Sequence, residues 1–181
     1  MQPFADLPGA SDAGDNNDYL WHEDPPVTLV KPVSTAQLHQ LLPGAVQGRV
    51  QTAVLLVPNP GSGLGRLAGP LGLTEVNLAQ ALLASLRPTA AFVGLARATN
   101  MLRLIDQTAR HPQATTGLFL TGLDLLLTRL SSAECGQVWA QLLVGPAHRR
   151  LVLALPSAFS AYGPPDINRW QQARRAAVWP G

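Results

Sequence analysis

The stretch Val50-Gln-Thr-Ala-Val-Leu-Leu-Val57 runs directly into Pro58-Asn-Pro-Gly-Ser-Gly-Leu-Gly65. The first half is a nearly continuous apolar run, which is typical of a central parallel strand buried on both faces. The second half is a loop rich in glycine and proline, where the chain reverses at little cost. A buried strand that ends in such a loop indicates an α/β protein.

Buried-strand patterns alternate with helical patterns along the rest of the chain. Gly117–Thr121 and Arg150–Leu155 predict two more buried strands, and Ser34-Thr-Ala-Gln37 predicts a capped helix that ends at Pro43-Gly44. Weaker patterns predict short strands at 27–30 and 176–179 and amphipathic helices at 78–86, 95–105 and 135–142. We therefore expect a doubly wound, mainly parallel α/β sheet.

Composition limits the class of protein. A chain of 181 residues with 46% hydrophobic residues predicts one folded α/β domain, which we place at 25–181. Only 13% of residues are charged, about half the usual ~25%, so we expect a surface partly covered by protein partners. The chain has neither an apolar run of ~18 residues nor a leader pattern, which predicts a cytoplasmic protein without a membrane partner.

Cysteine and histidine offer no metal site in the sequence. Cys135 is the single cysteine, and the four histidines are scattered, so neither a disulfide nor zinc is expected. Cys135 lies on a predicted apolar helix face and is expected to belong to the core.

The net charge of +2 divides unevenly along the chain. Residues 1–24, which we name the acidic head, contain six acidic residues and neither Lys nor Arg, whereas the remainder has 13 basic and five acidic residues. The head is a solvated tail, a mask over the basic body, or a contact for another protein. Tyr19, Leu20 and Trp21 lie within it, and this aromatic trio favours docking on a partner or on the chain's own domain.

The glycine-rich loop is the candidate phosphate site, because ligands of open α/β sheets bind at the carboxyl ends of strands. A P-loop requires G-x-x-x-x-G-K-[ST], with a lysine for phosphate and a hydroxyl for Mg²⁺. Gly61, Ser62 and Gly63 preserve the phosphate cradle. With Gly63 as the second glycine, Leu64 takes the lysine position and Gly65 the hydroxyl position.

A second register, with Gly65 as the second glycine, places Arg66 at the lysine position and Leu67 at the hydroxyl position. The Mg²⁺ ligand is therefore missing in both registers. The helix expected behind the loop is interrupted by glycine and proline at 65, 69, 70 and 72, which weakens the dipole that would attract an anion.

The second strand departs from a Walker B pattern, in which an acid at the strand end holds Mg²⁺. Here the strand ends in Thr121, and the next acid is Asp124. We predict that Asp124 is a helix N-cap or first-turn acid, with a catalytic role as the alternative. Three polar residues after the third strand are candidates for the same cleft: Ser157, Ser160 and Tyr162.

Five segments follow one another in a family-like order: Pro60–Gly63, Val76–Leu83, Leu118–Leu126, Arg149–Ala154 and Tyr162–Trp170. In this order the chain resembles the BrxF family, the small P-loop proteins of BREX phage-defence systems. The resemblance implies a P-loop NTPase fold in which the lysine, the hydroxyl and the first Walker B acid are absent. It leaves Gly61, Ser62, Gly63 and Asp124 as remnants of a nucleotide site.

We therefore expect a noncatalytic P-loop subunit, without ATP or Mg²⁺ as cofactor, that contacts other subunits or itself in a phage-defence or DNA-processing complex. One alternative is a weak nucleotide-binding NTPase that uses Arg66 for phosphate and Asp124 as the acid. Another is a nucleic-acid adaptor that binds DNA through four arginines beside predicted strands: Arg149, Arg150, Arg174 and Arg175.

Overall fold

The computed structural model describes residues 34, 36–38, 52–58, 64–85, 97–110, 117–145 and 147–179. Five strands within these ranges form one parallel sheet: β1 (Thr52–Val57), β2 (Thr74–Asn77), β3 (Gly117–Thr121), β4 (Arg150–Pro156) and β5 (Ala176–Val178). The helices are α1 (Leu64–Ala68), α2 (Leu78–Ser85), α3 (Ala98–Ala109), α4 (Leu123–Leu127), α5 (Ser132–Val144) and α6 (Ile167–Gln172). A 3₁₀ helix spans Ser157–Tyr162.

The strand order across the sheet is β2-β3-β4-β1-β5. The glycine-rich loop therefore follows a central strand, because β1 lies between β4 and β5, with Val57 beside Pro156 and Leu56 beside Val178. The chain steps away from β1 to the far edge at β2 and then returns strand by strand. This order confirms the predicted α/β architecture with a parallel sheet.

Apolar side chains cover both faces of the sheet, which is why the strands read as continuous apolar runs. On one face Val54, Leu120 and Leu153 pack under α2 to α6. On the other face Leu55, Phe119 and Val152 pack under α1, the segment that follows it, and Leu38. Alternate residues of each strand thus supply opposite cores, and the fold is wound on both sides of the sheet.

The first described helical residues carry the predicted cap. The Ser34 hydroxyl accepts a hydrogen bond from the backbone N–H of Gln37 at 3.3 Å, and the Gln37 side-chain oxygen accepts one from the backbone N–H of Ser34 at 2.9 Å. This reciprocal pair is a capping box. The predicted end of this helix at 43–44, the predicted strand at 27–30 and the acidic head lie outside the described residues.

The sequence patterns do not predict β2 or α6, whereas the expected helices behind the glycine-rich loop and at Asp124 are present as the short α1 and α4. Val76–Leu83, which we had read as one segment, divides at Asn77 between β2 and α2. The Asn77 side-chain oxygen accepts a hydrogen bond from the backbone N–H of Gln80 at 3.0 Å, so a side-chain cap begins α2 where the strand ends. Within the described ranges, every helix is too short or too polar to cross a membrane.

Candidate functional site

The carboxyl edge of the sheet, where the strands end, contains a topological switch point between β1 and β4. From β1 the chain continues through α1 on one face, whereas from the neighbouring β4 it continues through the 3₁₀ helix and α6 on the other face. The two connections therefore leave the sheet on opposite faces. Such a switch point is where ligands bind in open α/β sheets, so it is the candidate site.

Two hydrogen bonds hold the segment that follows β4 on its side of the switch point. The Ser157 hydroxyl donates a hydrogen bond to the carbonyl of Pro58 at 3.3 Å and so joins the ends of β4 and β1. The Trp139 indole N–H donates to the carbonyl of Tyr162 at 2.7 Å, and Trp139 itself is fully buried in the core. The structure thus places Ser157 beside the glycine-rich loop, as the sequence suggested.

The segment that follows β1, on the other side of the switch point, begins with the glycine-rich loop. Gly61, Ser62 and Gly63 lie outside the described residues, and α1 follows them from Leu64 to Ala68. This helix has only five residues, because Gly69 and Pro70 follow it, and Gly72 then turns the chain with φ +64°. Gly65 lies within α1, and the side chain of Arg66 is exposed. So short a helix presents little macrodipole to an anion.

The end of β3 has a threonine and a glycine where a nucleotide site would need an acid. Thr121 is buried. Gly122 has φ +70° and occupies the N-cap position of α4, and a Cβ there would lie 2.5 Å from the side-chain oxygen of Asn77. Only glycine fits both the left-handed backbone and this close approach.

Asp124 lies in the first turn of α4, which confirms the prediction of a first-turn acid, although Gly122 is the N-cap. Its carboxylate is half-exposed and makes no hydrogen bond or ion pair to any other described residue. One strand separates β3 from β1, so their ends lie about 10 Å apart. Asp124 therefore begins a neighbouring helix at the same edge as the glycine-rich loop.

The four arginines proposed for nucleic acid lie at the opposite, amino edge, where strands begin. Arg149 and Arg150 are half-buried at the start of β4, and Arg174 is exposed before β5. Arg175 is only 4% exposed, which corrects its assignment to a surface patch. The Arg174–Arg175 pair is split because the chain enters the core at Arg175, just before β5 begins at Ala176.

The Arg175 guanidinium bonds to backbone carbonyls. It donates to Thr52 at 2.6 Å and to Leu142 at 2.7 Å, and also to Leu143, and it lies 4.9 Å from the Trp170 ring centroid. Two of these carbonyls belong to the last turn of α5, where no helical N–H is left to satisfy them. Burial lowers the pKa of Arg175 to about 10, so the group stays charged at neutral pH.

A polar cluster at the amino edge was not found from the sequence. The Asp106 carboxylate lies 2.9 Å from Arg110 Nε and 3.1 Å from His148 Nε2. The i,i+4 spacing of Asp106 and Arg110 was visible in the sequence, but only the fold brings His148 to them. The cluster lies at the mouth of a cleft of about 210 Å³ between α3, α5 and the starts of β1 and β4.

Cys135 is buried, as predicted, and its thiol donates to the carbonyl of Leu127 at 3.6 Å. Burial raises the pKa of the Cys135 thiol, and the carboxylate of Glu134 raises it further. A thiol held in this protonated state is a poor nucleophile. Among the described residues, His, Cys, Asp and Glu form no cluster that could hold a metal ion.

The two edges thus differ in kind: the carboxyl edge has the topological switch point, and the amino edge has a cleft with arginines near it. Tyr19, Leu20 and Trp21 of the acidic head lie outside the described residues. A scan against protein-family models and a search of the curated proteins find no match to this chain.

Proposed function

We propose that this protein is a noncatalytic subunit with a P-loop-like fold that works by contacting other proteins. The observation that carries the proposal is the end of β3, where buried Thr121 stands in place of an acid and the nearest carboxylate, Asp124, belongs to the next helix. The edge has the topology of a ligand site but lacks the groups that catalyse phosphoryl transfer.

Phosphoryl transfer needs charge at fixed places. Mg²⁺ in P-loop enzymes is held by a hydroxyl after the loop lysine and by an acid at a strand end. In this chain Leu64 and Gly65 begin the helix where that lysine and hydroxyl would be, and Thr121 replaces the acid. With all three absent, neither the metal nor the charge that develops in the transition state is balanced.

Exposed apolar side chains support a role in protein contacts. Leu83 on α2 is 66% exposed, Leu125 on α4 is 57% exposed, and Val144 at the end of α5 is 74% exposed. The low charge content adds to this picture, because a monomeric surface is usually richer in charge. The BrxF-like order of segments favours a phage-defence or DNA-processing complex as the setting.

Calorimetry with Mg·ATP tests the noncatalytic assignment. We expect no saturable heat at millimolar nucleotide and no ATP hydrolysis above the buffer rate, for the wild type as for Arg66→Ala and Asp124→Asn. Saturable binding with Kd below about 10 μM that is lost in Arg66→Ala would instead establish the nucleotide-binding alternative.

Cross-linking in the native cell tests the partner-binding half. Leu83→Ser and Leu125→Ser should lose cross-linked partners, or self-association measured by sedimentation, while their unfolding curves stay close to that of the wild type. Ala84→Ser, an exposed neighbour on α2, is the matched control and should retain them. If both leucine variants keep every partner and the same sedimentation, these helices are not the contact surface.

A further inference from the structure

We propose that the acidic head folds back onto the amino edge of its own chain. Its Asp15–Asp24 segment would occupy the amino-edge cleft, with one aromatic side chain of the Tyr19–Trp21 trio on the apolar floor and the carboxylates against the surrounding arginines. This interaction is independent of any nucleotide at the carboxyl edge. Its consequence is that the head covers the arginines in the free protein.

The cleft has the shape and polarity for such a segment. Its volume of about 210 Å³ exceeds the ~150 Å³ that holds a benzene ring in a protein core, so one large side chain fits. Thr52, Gln141, Asp106 and His148 line its polar part. The floor is apolar and consists of Leu102, Ile105, Ala109, Leu142, Ala147 and Leu151.

Charge is concentrated around this cleft. Arg110, Arg149 and Arg150 lie at the ends of the elements that form it, and Asp106, the acid at its mouth, is already paired with Arg110 and His148. Arg149 also has a buried guanidinium nitrogen, Nη1, without a hydrogen-bond partner among the described residues. A carboxylate-bearing segment supplies the acceptors that such a surface needs.

The head has the matching chemistry. Within Asp15–Asp24 the acids Asp15 and Asp18 precede Tyr19-Leu-Trp21, and Glu23 and Asp24 follow it. An aromatic centre flanked by carboxylates suits an apolar cleft flanked by arginines. Tyr and Trp are also the residues that most often anchor a bound segment.

The chain is long enough to make the contact. Ser34 follows Asp24 by ten positions in the sequence, which allows a span of up to about 35 Å. Leu38 lies beside Arg175 at a small cavity, and Arg175 bonds to the carbonyls of Thr52 and Leu142, which both line the cleft. Arg175 therefore lies between the described helix at 36–38, on one face of the sheet, and the cleft, on the other.

Paramagnetic NMR on the full chain tests the proposal. A nitroxide on Asn17→Cys labels the head, because the native Cys135 is buried. At 50 mM NaCl we expect severalfold broadening of the amides of Arg110, His148 and Leu151, with little effect on Asn77 and Gly122 at the carboxyl edge. The broadening should fall at 0.5 M NaCl, where exposed charges are screened within a few ångströms.

Variants separate the charge from the aromatic contribution. Arg149→Gln with Arg150→Gln, or Arg110→Gln alone, should reduce the broadening severalfold, while Arg66→Gln with Arg129→Gln, two exposed arginines elsewhere, should leave it unchanged. Tyr19→Ser with Trp21→Ser should also reduce it. An unperturbed amide spectrum of each unlabelled variant verifies that it is folded.

Three results would overturn the proposal. The first is equal broadening, or none, at the two edges. The second is broadening that arises only between labelled and isotope-labelled copies in a mixed sample, which would make the contact intermolecular. The third is broadening that persists in the Tyr19→Ser and Trp21→Ser variant and in 0.5 M NaCl, which would exclude both the cleft and the arginines.

Discussion

Five arginines lie at the amino edge of the sheet, Arg110, Arg149, Arg150, Arg174 and Arg175, whereas the topology of a ligand site lies at the carboxyl edge. Helices α3 and α5 end at the amino edge, where their last carbonyls attract cations, and Arg175 fills that role for α5. Helices α2 and α4 begin at the carboxyl edge, where Asn77 and Gly122 occupy their N-cap positions. Arginines in the sequence are therefore a poor guide to the ligand site in this fold.

The largest loss of stability should come from removing the Arg175 side chain at the amino edge. Arg175→Met leaves three carbonyls without this donor, two of them in buried hydrogen bonds, and we expect the free energy of unfolding to fall by about 3 kcal/mol or more. Urea denaturation measures this change in the free energy of unfolding. The exposed neighbour Arg174→Gln, which keeps the Cβ at φ +55°, should change stability by less than about 0.5 kcal/mol. Equal stabilities of the two variants would contradict the core role of Arg175.

The next largest loss of stability is expected at Gly122, at the carboxyl edge. Gly122→Ala places a Cβ 2.5 Å from the Asn77 oxygen at φ +70°, so we expect a loss of about 2 kcal/mol in thermal or urea unfolding. Gly136→Ala on α5 is the matched control, because no atom lies within 4 Å of its Cβ, and it should stabilise the protein by about 0.5–1 kcal/mol. If both substitutions act alike, the left-handed turn at Gly122 is not required.

A smaller loss of stability is expected when a carboxylate at either end of α3 is removed. Glu134 accepts a hydrogen bond from the backbone N–H of Ala98 at the first turn of α3, and its own N–H bonds to the Ser131 side chain at the start of α5. Glu134→Ala should cost about 1 kcal/mol. Asp106→Ala, which removes an exposed pair at the other end, should cost less than about 0.5 kcal/mol. The reverse ranking by urea denaturation would contradict this contrast.

The smallest loss of stability is expected on substitution of Asp124. Asp124→Asn removes a first-turn charge from α4, and we expect a loss of about 0.5 kcal/mol from the helix dipole. Because this interaction is exposed, the difference should shrink further at high salt. A loss above about 2 kcal/mol would show that Asp124 has a partner beyond the dipole.

Local patterns were enough to find the elements that are buried on both faces. β1, β3 and β4 were predicted close to their observed bounds because each is a continuous apolar run. β2 was missed because Thr74 and Glu75 are exposed at the sheet edge, so the strand has neither an apolar run nor an alternation. The short helices α1 and α4 were expected only from the residues near their starts, because five residues each are too few for a helical periodicity to be visible.

The features of the candidate site were likewise only partly predictable from the sequence. That the loop follows a buried strand, that Asp124 lies in a first helical turn and that Cys135 is buried were all visible from residue order. That Arg175 is in the core and that His148 meets Asp106 was not, because those contacts join residues 32 to 123 positions and 42 positions apart, respectively. Sequence spacing contains no information about such distances until the strand order is known.

Apolar runs and helical periodicity are enough to establish the α/β class of this protein, because a strand that is buried on both faces is apolar along its length. The strand order is visible only in the folded chain, and it sets the switch point between β1 and β4 and the location of the four arginines at the opposite edge. This division arises because hydrophobic burial is non-directional and sets only which residues lie inside. The order in which the strands pair then decides which polar groups meet.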